Sequence, residues 1–189
     1  MKVKIGIYGS SAGESEDAIL KAKELGRALE KYKEKVIIIT GACSGIPYAV
    51  AYAASKRGVE VWGFSPKFDI DGQKEFTPDD DLSIYRKLIY VPHDFVFTGD
   101  DLVCKKYRNV ISTASADCGI VISGRWGTLN EFTNLIDFGK SIGVLTETGG
   151  VADELEVLSK KISKKGQGRI IFNSDPADLV DQIIKSLSI

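Results

Sequence analysis

The chain is poor in the residues that build metal centres and disulfide frameworks. It has one histidine, His93, and three cysteines, Cys43, Cys104 and Cys118, at unrelated spacings with no Cys-x-x-Cys pair. An odd cysteine count without paired spacing argues against a disulfide framework, and one histidine cannot build a multi-histidine metal centre, so no metal ligand is expected. The cysteines read as reduced packing residues. His93, in a Pro-His-Asp turn, reads as a solvated loop residue.

Long apolar runs are also missing. The longest, such as Val36 to Ile39 and Cys118 to Ile122, are strand-sized and far short of the roughly 18 to 20 residues of a membrane span. The start of the chain, Met1 to Gly9, has too short an apolar stretch for a signal sequence and runs straight into a glycine turn. No membrane partner and a cytoplasmic location are expected. Nor is there an excess of either charge: 25 Lys and Arg stand against 26 Asp and Glu, a net charge of −1, with an isoelectric point near 5.9. A general binder of phosphate backbones carries a large basic surplus, so nucleic acid is not an expected partner.

What is present is 189 residues with 43% hydrophobic content, enough for one full core and read as a single domain over 1–189. Short β-branched runs alternate with helix-period segments throughout. Strands are expected at Lys2 to Tyr8, Lys35 to Thr40, Glu60 to Phe64, Leu88 to Val91, Cys118 to Ile122, Ser141 to Leu145 and Arg169 to Phe172. Helices are expected near Ser15 to Tyr32, Pro47 to Arg57, Asp101 to Ala116, Thr128 to Phe138, Val151 to Lys164 and Ala177 to Leu187. Strict alternation with right-handed crossovers builds an α/β fold, a Rossmann-like doubly wound sheet of about seven mostly parallel strands in a three-layer αβα arrangement. One long irregular stretch, Ser65 to Lys87, contains Pro66, Gly72, Pro78 and the acid run Asp79 to Asp81, and reads as a lid or a surface loop.

In an open parallel sheet, ligands bind at the carboxyl ends of the strands. Three turns there are rich in small residues: Gly9-Ser10-Ser11 after the first strand, Thr40-Gly41-Ala42 after the second, and Ser123-Gly124-Arg125-Trp126-Gly127-Thr128 after the fifth. Small residues running into helix N-termini let backbone N–H groups close around a phosphate. Neither a GxxxxGK[ST] loop nor a GxGxxG fingerprint is present, which points to a mononucleotide or similar phosphorylated heterocycle rather than to an ATPase or a dinucleotide dehydrogenase. Glu131 falls in the first turns of the helix after Gly127-Thr128, and Arg108 on the preceding helix. A carboxylate there is either a dipole partner of the helix or a group facing the ligand, and an arginine suits bidentate contact with phosphate or carboxylate.

The segment from Tyr107-Arg108-Asn109 through Ser115-Ala116-Asp117 to Ile120-Val121-Ile122-Ser123-Gly124-Arg125-Trp126-Gly127-Thr128-Leu129-Asn130-Glu131 resembles the Arg-to-PGGxGTxxE signature of the Lonely Guy (LOG) superfamily. That superfamily carries an old lysine-decarboxylase label and includes phosphoribohydrolases and molybdenum-cofactor carriers. The Gly-Ser-Ser and Thr-Gly-Ala-Cys-Ser-Gly turns and Trp62-Gly63-Phe64-Ser65-Pro66 extend the resemblance to about Gly150. Two departures stand out. Ser123-Gly124-Arg125 replaces Pro-Gly-Gly, and Arg108-Asn109 replaces Arg-Lys, which is nearer the carrier-like and uncharacterised prokaryotic branch. An arginine in the phosphate turn either adds a phosphate contact or partly fills the site.

The resemblance implies a catalytic pair, Arg108 and Glu131, and a ligand site on Gly9, Ser10, Ser11, Thr40, Gly41, Ala42, Ser123, Gly124, Arg125, Gly127 and Thr128. It also implies self-association as a homodimer or homotetramer, with helices 47–57 and 101–116 as candidate interface elements. Two readings follow: an N-glycosidase splitting a nucleoside 5′-monophosphate, or a carrier that holds a nucleotide or molybdenum cofactor unchanged. No resident cofactor is expected. The decarboxylase label has little support, since pyridoxal phosphate chemistry needs a lysine and none falls in a phosphate turn.

Overall fold

The computed structural model describes residues 2–162 and 168–187. Among them seven strands form one sheet: β1 (Val3–Gly9), β2 (Val36–Thr40), β3 (Glu60–Phe64), β4 (Lys87–Ile89), β5 (Cys118–Ile122), β6 (Ser141–Leu145) and β7 (Ile170–Asn173). The order is β4-β3-β2-β1-β5-β6-β7, and every pairing is parallel, for example Ile5 beside Ile38 and Ile7 beside Ile120. The expectation of mostly parallel strands thus becomes an all-parallel sheet.

Parallel strands buried on both faces need apolar side chains at successive positions. Ile5, Ile7, Ile37, Ile39, Val61, Ile120, Ile122 and Val144 supply them, and all eight are buried. One face is covered by α1 (Glu16–Ala28), α2 (Ile46–Ser55) and α7 (Pro176–Ser186), with Ala18, Leu25, Val50, Leu179 and Ile183 in a common core with Ile5 and Ile120. Against β1, β3, β5 and β6 also lie α4 (Asp101–Ser115) and α5 (Trp126–Asp137). There Phe132 and Leu135 pack with Tyr8, Val121 and Val144.

Capping fixes the helix starts. Ser15 accepts from the Ala18 N–H, Asp100 from Leu102 and Val103, and Asp175 from Asp178, ahead of Pro176.

Several boundaries differ from expectation, most by a small shift at an element's end and some with a change of type or place. The first helix tightens into a 3₁₀ turn over Leu29–Tyr32. The expected helix Val151 to Lys164 is a 3₁₀ turn, Gly150–Glu154, leading into α6 (Leu155–Lys161), and residues 163 and 164 lie outside the described residues. The fourth strand sits at Lys87–Ile89, earlier than expected. The stretch read as one irregular loop contains α3 (Ile70–Phe76), capped by Asp69 through the Gly72 N–H at 2.8 Å, and a 3₁₀ turn over Leu82–Ile84. No helix among the described residues is long and apolar enough to cross a membrane.

Candidate functional site

The chain reverses its direction of winding between β1 and β5. Beside such a switch point the loops diverge to opposite faces and leave a crevice at the carboxyl ends of the strands. A cleft of about 550 Å³ opens there.

Of the expected site residues, Gly9, Ser10 and Ser11 line it from β1, Gly41 from β2, Arg108 from α4, and Arg125, Gly127, Thr128 and Glu131 from α5. Thr40, Ala42, Ser123 and Gly124 do not. Thr40 is fully buried, with its hydroxyl accepting from the Ala42 N–H at 3.2 Å. Ala42 has φ 45° and its methyl joins the core. Ser123, at φ 51°, gives its N–H to the Thr148 hydroxyl at 2.8 Å and its own hydroxyl to the Glu14 carboxylate. The Gly124 carbonyl accepts from Val151 at 2.8 Å. These four hold the loops in place from behind the cleft.

Helix α5 begins earlier than the sequence pattern indicates, at Trp126, with Arg125 as the residue before it and no side chain capping its end. The first N–H groups of a helix lack intrahelical acceptors. At α5 this end lies beside the cleft, which Arg125, Gly127 and Thr128 line. The geometry and the helix dipole both suit an anion. Trp126 itself is 83% exposed beside this end.

Glu131, 7% exposed, also lines the cleft, and its carboxyl makes no hydrogen bond among the described residues. Burial pushes its carboxyl up from the ordinary value of 4.5 to about 7, opposed by the positive charges of Arg108 and Lys106. The folded protein therefore favours the protonated carboxyl. The stability this proton contributes is full below pH 4.5 and is lost as pH rises through about 7.

Arg108 donates from Nη1 to the Gly41 carbonyl and from Nε to Asn109 Oδ1 at 3.0 Å. Gly41 has to be glycine for this, because a Cβ there would overlap the guanidinium.

The sequence pattern missed several wall residues. Lys105, three residues before Arg108 on α4, could have been found by helical spacing, whereas Lys106 and Asn109, two before and one after it, could not. Pro47, Phe76, Leu102 and Val103 make an apolar wall, and Cys43, read as a packing residue, is buried but also lines the cleft. Phe76 depends on α3 and had no signal. Among the described residues no group of His, Cys, Asp or Glu is placed to hold a metal ion.

A family model described as the SLOG cluster4 family matches residues 2–180. The chain belongs to that family. No curated protein matches this SLOG cluster4 chain in sequence.

Several solved structures share its fold. The protein TM1055, solved in a structural-genomics programme, superposes with TM-score 0.73 at 20% identity, covering 98% of this chain and 99% of that one. The molybdenum cofactor binding protein of the phototrophic bacterium Rippkaea orientalis gives 0.73 at 17% identity, with 100% and 99% covered. DNA processing protein A of Helicobacter pylori, whose structure concerns its single-stranded DNA binding mode, gives 0.66 at 19% identity, with 97% and 80% covered. At these identities the likeness carries the fold alone.

Proposed function

We propose that this SLOG cluster4 protein binds a nucleoside 5′-monophosphate in the cleft and hydrolyses its N-glycosidic bond. The observation that carries the reading is the buried, unpaired Glu131 carboxyl facing the same cleft as Arg108 and the open N-terminus of α5. The phosphate would lie at Ser10, Ser11, Arg125, Gly127 and Thr128, and the base against the apolar wall of Pro47, Phe76 and Leu102.

In the reaction the C1′–N bond breaks, a water oxygen bonds to C1′, and the departing base takes up a proton. The products are free base and ribose 5-phosphate. The ribosyl centre becomes oxocarbenium-like, so a carboxylate nearby stabilises its charge or orients the water. A carboxyl titrating near neutral pH is suited to pass the proton.

A second reading is a carrier that holds a nucleotide or a molybdenum cofactor without turning it over. The full-length likeness to a molybdenum cofactor binding protein and the arginine at the phosphate end favour it.

Incubation with adenosine, guanosine, cytidine and uridine 5′-monophosphates, with assays for ribose 5-phosphate and for a raised melting temperature, separates the two. Release of sugar phosphate supports the hydrolase, and thermal stabilisation without release supports the carrier. The balanced net charge of −1 leads us to expect no stabilisation by a single-stranded oligonucleotide in the same panel. Arg108→Ala removes a charged hydrogen bond used in ground and transition states alike, about 1.5 to 3 kcal/mol. Nucleotide affinity measured by calorimetry is therefore expected to fall ten-fold or more.

Self-association as a homodimer or homotetramer belongs to the same proposal. Tyr52 of α2 and Val110 of α4 are large, apolar and exposed, which suits a buried interface. Light scattering at micromolar concentration is expected to give a multiple of 20.6 kDa, and a monomer mass would refute it.

A further inference from the structure

Arg108 and Asn109 are consecutive on α4, and consecutive helical residues project about 100° apart and do not normally meet. Here they do: the Arg108 side chain bends back so that its Nε–H reaches Asn109 Oδ1 at 3.0 Å. Asn109 is only 3% exposed and in turn donates from Nδ2 to Asn130 Oδ1 on α5 at 3.1 Å. The Arg108 Nε–H fixes which way the Asn109 amide faces, because turning it over would set an NH₂ group against it, donor against donor, and the bond to Asn130 anchors the amide so oriented. The Gly41 carbonyl takes Nη1 on the far side. Besides these two bonds the guanidinium interacts with the Cys43 thiol, and its remaining N–H donors are left for a ligand in the cleft. Asn130 immediately precedes Glu131, so the same contact joins the helix carrying the cation to the helix carrying the carboxyl.

We infer that Asn109, anchored by Asn130, is a positioning residue that sets the Arg108 guanidinium in the cleft and holds it in register with Glu131. The inference rests on the reading of Arg108 and Glu131 as the working pair, but its own signature is present without any ligand.

The experiment uses the whole protein with labelled arginine and glutamate side chains. The Arg108 Nε–H resonance, assigned by its loss in Arg108→Lys, is expected to exchange with water at least ten-fold more slowly than that of exposed Arg27. In Asn109→Leu, shown to be folded by circular dichroism, this protection should disappear and the titration midpoint of Glu131 should rise, since the nearby cation is no longer held in place. Asn109→Asp keeps an oxygen acceptor for Nε and should restore the protection. Asn130→Ala, at a half-buried position, should reduce protection in the same direction and decides the matter should Asn109→Leu fail to fold. Wild-type protection and an unshifted Glu131 midpoint in folded Asn109→Leu, or in Asn130→Ala if only that variant folds, would overturn the inference.

Adenosine, guanosine, cytidine and uridine 5′-monophosphates are titrated in parallel. Binding to wild type that weakens about ten-fold in Asn109→Leu supports the inference and the functional reading together. If the side-chain signatures behave as expected while wild type binds none of the four nucleoside monophosphates, the positioning role stands and the nucleotide reading falls.

Discussion

Glu131→Gln is expected to lower hydrolysis of the preferred nucleoside monophosphate by 10² to 10³, on the order of 3 to 4 kcal/mol, while leaving nucleotide affinity nearly unchanged. Glutamine keeps the shape but removes both the negative charge that steadies an oxocarbenium-like centre and the proton that a carboxyl near pH 7 can pass. The same substitution should stabilise the protein. In the wild type the folded state holds the Glu131 proton up to about pH 7, whereas the unfolded chain releases it near 4.5. As pH rises between those values the wild type therefore loses up to about 3 kcal/mol that glutamine, which does not titrate, never had to lose. Urea unfolding at pH 8 is thus expected to show the variant more stable than wild type, by an amount that shrinks as pH falls toward 4.5. A variant that keeps its turnover, or a gap that does not change with pH, would contradict the role given to this carboxyl. A fall in rate with a gain in stability is the signature of a group kept in a costly setting for the sake of chemistry.

The second large effect concerns the backbone that shapes the cleft. Gly45 precedes α2 at φ 76° and ψ −138°, a region that side chains rarely enter. A Cβ there would stand 2.5 Å from the Ser10 carbonyl oxygen and 2.6 Å from the Ser11 carbonyl carbon, both backbone atoms that cannot rotate aside. Backbone strain of roughly 1 to 3 kcal/mol and overpacking of similar size lead us to expect Gly45→Ala to cost about 2 to 5 kcal/mol. A lowering of the melting temperature by roughly 5 to 15 °C would follow for a chain of this size. The loss should reach function too, since the Ser10 carbonyl that would be pushed away accepts the Ile46 N–H at 2.9 Å, and Ser10 and Ser11 line the cleft. Gly99→Ala, where an added Cβ meets nothing within 4 Å, is the matched control and should be nearly silent. Equal melting temperatures for the two variants would refute the argument.

Much of this architecture can be read from the chain in order. The apolar runs of β1, β2 and β5 require cover on both faces, and residues such as Ser15, Asp100 and Asp175 supply side-chain oxygens at helix starts wherever the chain lies in space. Parallel order follows because each strand is separated from the next by a crossover. Gly127-Thr128 and Glu131 are legible for the same reason: a strand, a tight turn and a helix place them at one end of the sheet by local geometry alone.

Other features depend on what lies across from a residue. Seven-residue α3 is too short to hold itself together. It is secured by Gln73, whose amide reaches the Ala42 carbonyl at 2.9 Å, a partner 31 positions away in the chain. That is why Ser65 to Lys87 reads as a loop in sequence. The split among the small-residue turns is of the same kind. Composition alone does not distinguish Ser10 from Ser123, but Ser123 is drawn behind the cleft by Thr148 and Glu14, while Ser10 lines it. The setting of Arg108 needs Gly41 from one turn and Asn109 held by Asn130 from another helix. The sequence by itself determined the sheet and its covering helices, because those depend on periodicity, while Arg108 and Glu131 were singled out by the resemblance to the LOG superfamily. Only the tertiary structure decided which turn residues line the cleft and how the guanidinium is held, because hydrogen bonds between distant segments set those directions, and their partners have no fixed spacing along the chain.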